Sequence, residues 1–161
     1  MNDYFKVNEN IDVSEGGTSK PLSDLQLKLC DIQGRLFELS AEKGYGSAAF
    51  ARIFMTSDTA KALDSSYNRM QWAGEEYLME EITEKNAGYS VKNSLTGGEI
   101  YPKEVLYWMG YLYRFWHIYT GESSARIYRQ APAATMNRNY LLFHTMDPAL
   151  AVEDLKKVGR K

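Results

Sequence analysis

The residues best equipped for chemistry lie between Pro102 and Gly121, in PKEVLYWMGYLYRFWHIYTG. At 100° per residue Tyr107, Tyr111, Arg114 and His117 fall near one helical face, and Val105, Trp108, Leu112, Phe115 and Tyr119 near the opposite one. Two phenols, a guanidinium and an imidazole together can grip an anion, a base or a peptide. Arg126, Arg129 and Arg138 follow closely and could add positive charge. The functional expectation is a polar-tipped pocket for a small ligand, a nucleotide or a partner's acidic group. The plainer alternative is a central helix whose Tyr hydroxyls and Arg114 are satisfied by carboxylates such as Glu75 or Glu76.

Other chemistries find less support. Glu75, Glu76, Glu80 and Glu81 have helical spacing, but the Glu-x-x-His pairs of carboxylate-bridged metal bundles are missing, as are HExxH and calcium-loop patterns. No metal and no cofactor is therefore expected. The single cysteine, Cys30, lies beside an apolar helical stripe, where a buried thiol is inert, and no GxSxG elbow occurs. His144 has Tyr140 one turn away and no acid at a convincing spacing, so it reads as structural. In RMQWAGEEY, Trp72 reads either as an interface anchor or as a core residue.

These residues need elements to position them. Ser23 opens a helix whose Leu25, Leu29, Ile32, Leu36 and Leu39 recur at steps of three and four; Gly34 is either a tolerable cost of ~1 kcal/mol within a long helix or the mark of a close contact, and Gly44 and Gly46 end it. Ser47 and then Ser57 or Asp58 cap two short helices, and Ser65 or Ser66 opens a long one bearing Tyr67, Met70, Gly74, Tyr77 and Glu81 on one face. Residues 86–101 read as the one substantial connection, with room for a hairpin at Thr96-Gly97-Gly98. Pro102 starts the aromatic helix, whose nearly all-round apolarity predicts burial on more than one side. Ser123 or Ser124 starts a short helix interrupted at Pro132, NRNYLLFH continues, and Asp147-Pro148 opens the last one. The expected fold is all-α: a single irregular bundle of six to eight helices over residues 22–161, preceded by an arm at 1–21.

Composition agrees. With 161 residues, 44% hydrophobic and 25% charged, the chain can bury a core without staples. A net charge of −2 and a pI near 5.7 weaken the case for nucleic acid. The longest apolar run, Val105 to Tyr113, is far short of the ~20 residues of a membrane span. No signal-like segment opens the chain, so a cytoplasmic setting is expected. Residues 22–88 carry −4 and residues 89–161 +4, a polarity suited to docking of the halves or of a polar partner and equally consistent with chance.

The stretches FARIFMTSDTAKALDSSYNRMQWAGEEYLMEEI, YPKEVLYWMGYLYRFWHIYTGESSARIYRQA and NYLLFHTMDPALAVEDL resemble a family of small Firmicutes-type bacterial proteins associated with operons of the toxin–antitoxin kind. YNRMQWAGEEY and FWHIYTGESS carry the likeness, which spans roughly residues 45–157. The resemblance implies a protein that binds and restrains, or assists, a partner, and it brings no catalytic residue with it. The leading expectation is thus a non-catalytic protein-binding module, antitoxin-like or accessory, with Trp72, Glu75, Glu76, Tyr107, Tyr111, Arg114, His117 and Arg126 as recognition residues. The alternatives are the small-ligand or nucleotide pocket, with or without turnover, and a plain homo-oligomeric scaffold.

Overall fold

The computed structural model describes residues 21–65, 69–85 and 88–159; the N-terminal arm predicted for 1–21 lies, but for residue 21, outside them. Among the described residues the chain is all-helical, without strands. Its helices are α1 (Asp24–Glu42), α2 (Ser47–Met55), α3 (Asp58–Asp64), α4 (Glu75–Glu80), α5 (Gly88–Leu95), α6 (Lys103–Thr120), α7 (Ser124–Gln130), α8 (Ala133–Phe143) and α9 (Pro148–Gly159).

Most boundaries follow from local chemistry. Ser23 and Gln26 form a reciprocal capping box at the start of α1, and Ser57 and Ser123 cap α3 and α7 by accepting from Ala60 and Arg126 backbone N–H groups. Gly121 ends α6 with φ of 79°, a left-handed conformation natural to glycine.

Three expectations need correction. No long helix opens at Ser65 or Ser66: Ser65 ends α3, Arg69–Trp72 is a 3-10 turn, and α4 begins only at Glu75 with Gly74 as its N-cap. Tyr67 lies outside the described residues. Gly74 interrupts the helical register, and α4 then continues into a π-helical turn at Glu81–Lys85. The predicted connection contains helix α5 instead of a hairpin. The chain after α5 packs against the start of α2, where Gly46 and Ser47 N–H groups donate to the Leu95 and Glu99 carbonyls at 2.7 and 2.8 Å. Ser47 therefore does not cap α2; Gly46 holds the cap position, and Ser47 Oγ accepts from Tyr101 N–H at 2.9 Å.

Helices α1 and α6 form the centre of the bundle and cross where each contributes a glycine. A Cβ on Gly34 would stand 2.9 Å from the Tyr107 carbonyl oxygen and 2.7 Å from its ring; one on Gly110 would strike the Gln33 carbonyl. Around this crossing Phe37 packs edge-on against Phe50 and Phe54, with ring centroids 5.3 and 5.8 Å apart. Tyr113 and Trp116 complete the buried aromatic centre, and the Tyr113 hydroxyl donates to the Ala131 carbonyl. No helix among the described residues is long and apolar enough to cross a membrane.

Candidate functional site: an aromatic groove beside α6

The face predicted on α6 divides in two, because this helix is covered on several sides. Arg114 is only 1% exposed, and its guanidinium is spent inside the bundle. It donates to Gln33 Oε1 (2.9 Å), Asp64 Oδ1 (2.7 Å) and Ser124 Oγ (3.4 Å). Asp64 also accepts from the Ser124 hydroxyl and backbone N–H, both at 2.8 Å, and Gln33 Nε2 donates to the Gly110 carbonyl at 2.9 Å. The partner of Arg114 is thus Asp64, not the anticipated Glu75 or Glu76, and Arg114 presents no charge to a ligand. His117 sits at the edge of the same network: Nδ1 donates to the Glu122 carbonyl at 2.6 Å and stands 3.7 Å from Asp64.

Arg126, also expected at the recognition surface, pairs with Glu122 at 3.2 Å. Glu122 further accepts from Trp116 Nε1 (2.9 Å), Gln130 Nε2 (2.8 Å) and Lys156 Nζ (2.8 Å). Partial burial would raise this carboxyl, yet the hydrogen bonds from Lys156, Trp116 and Gln130 outweigh it and pull the pKa down to about 2. The carboxylate thereby ties α6, α7 and α9 together.

Tyr107 and Tyr111 go elsewhere. With Trp108 and Leu112, which the wheel placed on the opposite face, they line a groove of about 480 Å³ between α1, α6, α8 and α9. Tyr140, His144 and Met146 form the other wall, and Glu38 and Glu104 bring two carboxyl groups. The aromatic rings hold each other in place. Trp108 meets Tyr140 edge-on at 5.6 Å, Tyr140 stacks on His144 at 4.2 Å, and Tyr107 and Tyr111 lie 6.0 Å apart. The Tyr107 hydroxyl donates to Asp31 at 2.5 Å, and burial followed by that bond pushes its pKa up, which keeps the phenol protonated. Burial also raises the Glu38 carboxyl above its ordinary range, with Lys103 acting in the opposite direction.

Trp72 is 74% exposed, so of its two readings the structure excludes the core residue. Together with Met70, Ala73 and Tyr77 it borders a separate shallow depression of about 280 Å³, near the partly exposed Glu75 and the exposed Glu76. None of these residues lines the groove beside α6. Cys30 is fully buried, and burial pushes its thiol pKa to about 12. Among the described residues no group of three or more His, Cys, Asp or Glu side chains is placed to hold a metal ion.

No family model, curated protein or solved structure matches this chain. Glu38, Glu104, Trp108 and Tyr140 do not stand out as binding residues in the sequence, since Glu104 reads as an ordinary first-turn acid and Trp108 as the far side of the wheel. The Tyr140–His144 step of one turn is the sequence signal for the second wall.

Proposed function

We propose that this chain is a non-catalytic binding protein that docks on a partner protein through the groove beside α6. The observation that carries the reading is exposed apolar surface on α8 and α9, two of the helices that supply the groove's lining. Leu141 is 83% exposed and Leu150 58% exposed, each adjacent in sequence to lining residues Tyr140 and Ala151. Leu142, 68% exposed, extends the apolar surface of α8. Large exposed apolar side chains on helices that also line an aromatic cleft are the composition of protein interfaces, where buried aromatic anchors dominate the energy. The buried thiol of Cys30 and the committed guanidinium of Arg114 leave neither group free for turnover. On this reading the resemblance to proteins of toxin–antitoxin operons supplies the role, antitoxin-like or accessory, and the kind of partner, an operon-encoded protein.

The test is gentle purification of the tagged protein from its host, followed by native mass spectrometry of the wild type and of Leu141→Glu/Leu150→Glu. A stoichiometric second protein that crosslinks to α8 or α9, and that the double variant loses, supports the reading. A partner retained by the double variant places docking elsewhere. The volume of the groove favours a second reading, because small-ligand sites span roughly 300–1,000 Å³. A lone chain carrying excess small-molecule mass would select it, and a bare homo-oligomer would select a scaffold.

A further inference from the structure

The charge of the groove is opposite to that expected of the α6 face. Its titratable lining is Glu38 and Glu104, the phenols of Tyr107, Tyr111 and Tyr140, and the single imidazole of His144. Neither carboxyl group hydrogen-bonds or pairs within 4 Å with another described residue. The cations neighbouring Glu38 are already engaged: Lys103 pairs with Glu42 and Arg35 with Asp31, each at 3.1 Å. Two unpaired carboxylates among aromatic rings are complementary to a cation, since ring faces attract positive charge and carboxylates supply the in-plane acceptors. Planar guanidinium uses both at once, stacking on a ring while its N–H groups bond a carboxylate. The groove's volume also leaves room for the chain that would bear such a group.

Resting on the docking reading above, we propose that the groove seats an arginine side chain of the partner protein, its guanidinium stacked among Tyr107, Trp108, Tyr111 and Tyr140 and bonded by Glu38 and Glu104. Arg114, although on the lining helix, does not oppose it, because its charge is neutralised internally by Asp64 at 2.7 Å.

The experiment titrates the full chain with N-acetyl-arginine amide, N-acetyl-citrulline amide and tetramethylammonium, following the three tryptophan indole N–H resonances by NMR. The arginine probe is expected to move the Trp108 resonance saturably, leaving Trp72 and Trp116 in place. Citrulline, equal in shape but neutral, should bind at least about tenfold more weakly. Glu38→Gln and Glu104→Gln should each weaken arginine roughly three- to tenfold, whereas Trp72→Ala should not change it. Equal binding of citrulline, tighter binding of tetramethylammonium or no saturable shift at Trp108 would each overturn the assignment. If arginine fails while Leu141→Glu/Leu150→Glu still loses its partner, the docking reading stands and only the arginine assignment falls.

Discussion

Arg114 and Asp64, fifty positions apart, form a 2.7 Å ion pair inside the bundle, joining the middle of α6 to the last residue of α3. Ser124, the first residue of α7, donates twice to the same carboxylate, and Gln33 of α1 accepts from Arg114, so four helices meet at one charge pair. Removing one partner leaves the other buried and uncompensated, at a cost of roughly 3–5 kcal/mol. Arg114→Ala and Asp64→Ala should therefore each lower stability by that order in urea denaturation, and the double variant should lose less than the sum. A single-variant loss below about 1 kcal/mol would contradict a structural role for the pair.

Glu122 makes stability depend on acid. Its pKa is depressed to about 2 from an ordinary 4.5, so the folded carboxylate contributes stability that is complete above 4.5 and is lost as pH falls towards 2. Urea midpoints measured between pH 5.5 and pH 2.5, on the order of that carboxylate range, should fall more steeply for wild type than for Glu122→Gln. Parallel profiles would show that Glu122 is not the group responsible.

The crossing of α1 and α6 tolerates no added carbon. Alanine favours a helix over glycine by ~1 kcal/mol, yet a Cβ on Gly110 would strike the Gln33 carbonyl and the Phe37 ring. Overpacking costs about 1–3 kcal/mol, so Gly110→Ala should lower the melting temperature, as should Gly34→Ala against the Tyr107 carbonyl. A rise in melting temperature in either variant would mean that the helices stand farther apart than the structure has them.

Cys30 should be inert in the folded protein, because its thiol is fully buried and its pKa raised to about 12. An aromatic disulfide reagent should report no free thiol under native conditions and one after unfolding in urea. Rapid native labelling would place the thiol outside the core.

Trp72 carries little of the fold, being 74% exposed. Trp72→Ala should stay within about 0.5 kcal/mol of wild-type stability. If the depression formed with Tyr77 is a docking point, the same variant should weaken capture of a partner; full capture would exclude Trp72 from the interface.

The elements legible in the chain are those whose causes lie within about one helical turn. Ser23 with Gln26, Ser57, Ser123 and Gly121 mark helix ends because each cap is a bond to backbone three or four residues away. The apolar wheel of 102–120 likewise foretold burial on several sides, and of the two readings of Gly34 the structure selects the close contact. The helix at 88–95 was hidden by its Gly- and Asn-rich surroundings, and the break at Gly74 by a run of apolar spacing that continues past it. What each polar group meets depends instead on how the helices pack. Helical periodicity says that Arg114 and Tyr111 share a face, but not that α3 brings Asp64 to one and α8 brings Tyr140 across the groove from the other. Those neighbours come from distant parts of the chain, and packing selects them by excluding water from the larger apolar area around the α1–α6 crossing. The same packing turned a face expected to be basic into a groove edged by Glu38 and Glu104.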